Sequence, residues 1–194
     1  MYPITTTSGF IIESRPTGEA GKVLSIFTRD LGLVRASAQG IRFEKSKLRY
    51  HAQEYSLGEF SFVRGKEVWR MTNADQVESF TTLHTTAQEL IARVALLLRR
   101  LLHGEEPHAE LFEHIESLFI FLKSIPALSN EHSNILESLT MYRILAALGY
   151  IAPDKKIDSR ILNEELGVFF LDEIGGQRMT LNAHINKALK ESHL

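Results

Sequence analysis

At 194 residues the chain can bury the core of one large domain or two small ones, and its 44% hydrophobic share is ordinary for a globular protein. It contains no cysteine, which excludes disulfides, thiolate metal sites and cysteine nucleophiles. No run approaches the roughly 20 apolar residues that span a bilayer, and Met1-Tyr2-Pro3-Ile4 lacks the layout of a signal peptide, so a cytoplasmic protein is expected. The net charge of -2 hides an asymmetry: residues 1–72 carry 11 Lys and Arg against 7 Asp and Glu, and residues 73–194 carry 11 against 17. A basic first part and an acidic remainder suggest two surfaces with different partners, one of them a polyanion.

The first third reads as β. Gly9–Ser14, Val23–Thr28, Leu33–Ala38, Tyr55–Val63 and Glu67–Met71 are short apolar or alternating runs. Turn signals at Arg15-Pro16-Thr17-Gly18, Asp30-Leu31-Gly32 and Gly40 separate the first of them. Five closely spaced strands suit a small barrel such as the OB-fold. The rest reads as helix. Phe80–His103 repeats apolar residues near the 3.6 period and ends at Gly104. A second helix opens at Pro107 and breaks before Pro126, and a third is capped at Ser129-Asn130 and stops at Pro153 after Gly149. The tail is read as a short helix near Asp158–Glu165, a strand at Val168–Leu171 and a terminal helix from about Leu181. The expected organisation is α+β: an OB-fold nucleic-acid-binding domain over residues 1–76 and an all-α domain over 77–194.

One segment carries chemistry. Arg35, Arg42, Lys45, Lys47 and Arg49 face a single acid, Glu44, along a strand end and a flexible loop. Phosphates need cations spaced along a path that follows the backbone. Phe43 and Tyr50 flank these cations, and exposed rings there would stack bases; the alternative is that Phe43 is core. Arg15 and Lys22 bracket a neighbouring turn and extend the same patch. The charge pattern alone leaves nucleic-acid binding and a merely solvated polar loop equally open. No phosphate-loop motif, serine-hydrolase elbow or paired zinc histidines are present, so no enzyme, metal or cofactor is expected. Glu105-Glu106 reads as a solvated pair at a helix junction, Phe60, Phe62 and Trp69 as barrel core, Tyr142 as helical core and Arg143 as a rim charge.

The order of these segments is recognisable. Gly9-Phe10-Ile11-Ile12, Ser14-Arg15-Pro16, Gly18-Glu19-Ala20, then Phe27-Thr28-Arg29, Leu31-Gly32-Leu33-Val34-Arg35, resembles the opening of the RecO recombination-mediator family. Gly40-Ile41-Arg42, Lys45-Ser46-Lys47-Leu48-Arg49, Gln53 and the later Leu148-Gly149-Tyr150 continue the likeness. The resemblance implies a bacterial, nucleoid-associated DNA repair protein without catalytic activity. Such a protein binds single- and double-stranded DNA, anneals complementary strands and assists recombinase loading with RecR and single-stranded-DNA-binding protein (SSB). Carried over to this chain, the DNA-contacting residues are Lys22, Arg35, Arg42, Lys45, Lys47 and Arg49. Gln39 stands where the family usually has Lys, Glu54-Tyr55 where it has Pro-Phe, and the four-cysteine zinc module of many members has no counterpart here, so zinc is not expected. An OB-fold RNA-binding protein and a protein-interaction adaptor with weak DNA affinity are the alternatives. No membrane or small-molecule substrate is expected.

Overall fold

The computed structural model describes residues 3–66, 68–152, 154 and 157–192. Glu67, with which the fifth strand was expected to begin, and Pro153, the expected stop of the third helix, lie outside them. The chain forms two compact units: Met1–Thr82 with Leu101–Ala109, and Leu83–Arg100 with Glu110–Leu194.

Unit one is a closed five-stranded barrel. Strands β1 (Ile4–Thr17), β2 (Gly21–Thr28), β3 (Gly32–Ala38), β4 (Leu57–Val63) and β5 (Trp69–Glu78) are hydrogen-bonded in the order β1-β2-β3-β5-β4, with β4 closing onto β1. All pairings are antiparallel except β3 with β5, which gives the OB-fold. Strand β1 serves two partners: Ile4–Phe10 pairs with β4 and Gly9–Thr17 with β2, the latter register shifted by a bulge between Ile11 and Glu13. Alternate side chains fill the interior, among them Ile11, Leu24, Ile26, Val34, Phe60, Phe62 and Met71. Trp69 joins them at 8% exposure, so Phe60, Phe62 and Trp69 are core as expected.

Several boundaries differ from the sequence reading for local reasons. Strand β1 runs on through Pro16, which lies near the strand end where a missing N–H is tolerated, and turns only at Gly18. Strand β4 starts at Leu57 because Tyr55 has φ 64, a left-handed conformation that interrupts an extended run. Strand β5 extends seven residues past Met71; this half is polar and largely exposed, so periodicity does not announce it.

Unit two contains helices and no strand among its described residues. Its longer helices are α2 (Thr85–Leu101), α3 (Ala109–Ser124), α4 (Asn130–Ala147) and α7 (Arg178–Glu191), joined to the short α5 (Arg160–Asn163) and α6 (Val168–Ile174); a four-residue α1 (Leu48–His51) belongs to the barrel. Ser129 caps α4, accepting from the His132 N–H at 3.1 Å. Helix α4 is the hub, packing against α5, α6 and α7, and from Ile135 to Leu145 it buries residues on every side. The strand expected at Val168–Leu171 is instead the start of α6. Phe170, Leu171 and Ile174 are buried while Val168 and Phe169 are exposed, a helical rather than an alternating pattern.

Arg143 also departs from its expected place. It is not a rim charge: it is 4% exposed, and its Nε donates to the Ile161 carbonyl at 2.7 Å and its Nη2 to the Glu164 carbonyl at 2.6 Å. The guanidinium therefore satisfies carbonyls at the C-terminal end of α5, where a cation also suits the helix dipole.

Burial, with the Arg143 charge adding to it, holds the pKa of His114 down to about 4. Glu110 lies 3.9 Å from its Nε2 but is well exposed, too far and too solvated to retain the proton. Between the unfolded value of 6.5 and about 4 the unfolded chain binds a proton that the folded chain does not. Stability is therefore intact above pH 6.5 and falls as the pH drops through this window, by about 2 kcal/mol after allowance for solvent screening. Urea midpoints measured at about pH 7 and about pH 4.5 are expected to differ less in His114→Leu than in the native chain.

Candidate nucleic-acid interface

The connection from β3 to β4, expected as a loop, is hydrogen-bonded along its length. It is a succession of turns that ends in α1. Phe43 N–H donates to Gly40 O at 3.1 Å, Ser46 N–H to Phe43 O at 3.0 Å, Arg49 N–H to Ser46 O at 3.2 Å and Ala52 N–H to Leu48 O at 2.8 Å. Gly40 starts the series with φ +66, which an L side chain adopts only under strain. Ile41 and Ala52 are buried in the barrel core and Leu48 packs against it, so the connection is pinned at both ends and in between. The Arg42 N–H also donates to Ala20 O at 3.0 Å, tying the connection to the β1–β2 turn.

With the apolar residues turned inward, the cations are left outside. Arg42, Lys45, Lys47 and Arg49 are exposed, as is Arg35 on β3, where it faces Ser25 of β2. Lys22 on β2 is half-buried and paired with Ala38 and Pro16. None of these six side chains has a hydrogen-bond or ionic partner among the described residues. Arg15, by contrast, pairs with Glu13 at 2.9 Å. Phe43 and Tyr50 are 64% and 65% exposed, which removes the core reading of Phe43 and leaves both ring faces accessible. Exposed aromatics are costly to hydrate, and here they stand among unpaired cations, the combination used to stack bases and hold phosphates.

The structure adds cations that contiguous sequence does not reveal. Val63, Arg64, Gly65, Lys66 and Arg70 line a hollow at the β4–β5 connection. Arg70 pairs across the sheet with Ser37 of β3, two residues from Arg35, so it occupies the neighbouring outward row. The signal for Arg70 was available: Trp69 points inward, so its neighbour points out. Glu105 is not simply solvated. It binds Arg64 through Oε2 and accepts from Trp69 Nε1 at 3.0 Å through Oε1.

Fold and surface together define an OB-fold protein whose β3–β4 connection exposes aromatics and cations that have no ionic partner among the described residues. The family described as "Recombination protein O N terminal" matches residues 1–80. The chain is similar to proteins named DNA repair protein RecO: 28% identical to that of Acetivibrio thermocellus over 74% of this chain and 57% of the relative. Identity is 31% with the Synechococcus protein, over 74% and 53%, and 34% with that of Desulfitobacterium hafniense, over 61% and 44%. The chain thus spans about half the length of these relatives. The likeness is thus to the RecO family, whose N-terminal model matches the barrel.

Proposed function

We propose that the chain is a DNA repair and recombination mediator that binds single-stranded DNA through its barrel and anneals complementary strands. The observation that carries this reading is the outward set Arg35, Arg42, Lys45, Lys47 and Arg49, free of acidic partners among the described residues and interleaved with exposed Phe43 and Tyr50. Lys22 lies beside it on β2. Cations with no ionic partner to displace meet phosphates without breaking an existing pair, and each contact releases condensed counterions. Neutralising two strands together lowers their repulsion and lets bases pair. No covalent chemistry is required, and none is assigned to the chain. DNA rather than RNA is favoured by the similarity to relatives that are named for DNA repair. Assistance to a recombinase, with RecR and SSB as partners, is part of the same proposal, as is binding of double-stranded DNA.

Annealing of complementary strands, bare and SSB-coated, at several salt concentrations tests it. Rapid annealing that weakens steadily with salt is expected; no acceleration at any concentration overturns the reading. Substituting Phe43 or Tyr50 by Ala is expected to weaken oligothymidylate binding about five- to tenfold each while barely changing its salt dependence, since stacking releases no counterions. Fluorescence anisotropy across a salt series separates the two effects.

A further inference from the structure

Glu105 stands at the basic end of the β4–β5 connection, and the proposed function gives it no role. It belongs to the Leu101–Ala109 stretch that clusters with the barrel. One carboxylate oxygen takes the Arg64 guanidinium, the other the Trp69 indole N–H at 3.0 Å. Arg64 is fixed further by lying 4.7 Å over the Trp69 ring. Lys66 and Arg70 line a hollow together with Arg64 and have no ionic partner among the described residues. Two oriented donors thus meet on an anionic pair of oxygens, and two further cations share a hollow with one of those donors, Arg64. A phosphodiester presents the same pair of oxygens, and Arg is the side chain best suited to either.

We propose that Arg64, Lys66, Arg70 and the Trp69 indole N–H form a subsite for a backbone phosphate of single-stranded DNA, held by Glu105 in the free protein and yielded when DNA binds. This rests on the reading that the barrel binds DNA. The subsite continues that path, because Arg70 flanks β3 in the outward row next to Arg35. The Glu105–Arg64 pair is largely exposed, so its displacement is cheap. A lone anion gains little by evicting Glu105, whereas a strand anchored elsewhere on the barrel delivers its phosphate at high effective concentration. Glu105 therefore favours polyanions over small anions.

Trp69 is the chain's single tryptophan, so its emission reports the subsite. Titration of the full chain with oligothymidylate is expected to shift Trp69 emission with the same midpoint as binding followed by anisotropy. Glu105→Gln keeps an acceptor for the indole but removes the charge; about two- to fivefold tighter binding and a salt slope steeper by about 0.7 are expected. In an Arg64→Ala background the same change is expected to gain nothing. Lys66→Ala and Arg70→Ala, which leave Glu105 in place, are each expected to weaken binding a few-fold. If the native chain binds DNA but Glu105→Gln matches it in affinity and slope, this inference fails and the proposed function stands. A gain that persists without Arg64 also overturns it. If no variant, native included, binds the oligonucleotide, both fall.

Discussion

Simultaneous replacement of Arg42, Lys45, Lys47 and Arg49 by Ala is expected to weaken single-stranded DNA binding roughly a hundredfold at about 0.1 M salt. The size follows from counterion release. Each neutralised phosphate contributes about 0.7 to the slope of log affinity against log salt, so four lost contacts flatten that slope by almost 3. Stability is expected to change little, because the four side chains are exposed and pair with nothing described, whereas the buried anchors Ile41, Leu48 and Ala52 are untouched. Anisotropy titrations at several salt concentrations, alongside thermal melts, measure both. An unchanged affinity and slope would mean that the face is not a phosphate path, and would favour the adaptor alternative. Arg35→Ala alone, on a rigid strand rather than in the connection, is expected to cost a few-fold.

The largest effect on stability is expected at Arg143. Replacing it by Met, similar in length and apolar, leaves the Ile161 and Glu164 carbonyls without their donor, two buried or half-buried acceptors at once. Loss of a charged hydrogen-bond donor to buried acceptors costs about 2–4 kcal/mol, even after relief of its own desolvation. Burial lowers the Arg143 pKa to about 10, so it remains charged at neutral pH and the loss persists across the physiological range. For a chain of this size the melting temperature is expected to fall by roughly 6–12 °C, followed by helical circular dichroism. Arg143→Lys is expected to recover part of the loss only, since an ammonium cannot reproduce the planar fork that reaches both carbonyls. A melting temperature within about a degree of native for Arg143→Met would show that water or another donor replaces it.

What was legible in the sequence follows from where the signal is local. Strands β2 and β3 were readable because Val23–Thr28 and Leu33–Ala38 are compact apolar runs closed by turns. The barrel could be inferred from their number and spacing, but its closure through the parallel β3–β5 pair depends on register, which no local pattern encodes. Helix α4 misled the reading of Arg143, because a helix buried on all sides has no outer face on which a charge must lie. Four apolar residues at Val168–Leu171 fit either period, and only their packing on α4 decides for α6. The same division holds at the interface. Arg42 to Arg49 stood out because the cations are contiguous, whereas Arg64, Lys66 and Arg70 come together from a turn and a strand. Glu105 is 41 residues from Arg64, and its partnership is visible only once the chain has returned to the barrel.

That return bears on how the protein can be dissected. Gly32 has φ +70, and a Cβ there would lie 2.3 Å from the Glu106 backbone, while the Leu33 N–H donates to Gly104 O at 3.0 Å. A recombinant fragment ending at Glu78 would strip this covering from the start of β3, expose an unpaired strand amide and release Arg64 and Trp69 from Glu105. Such a fragment would be a poor stand-in for the intact barrel. Loosened folding and heightened attraction for any polyanion would enter its binding curve together, and the minimal faithful piece must carry the chain through Ala109.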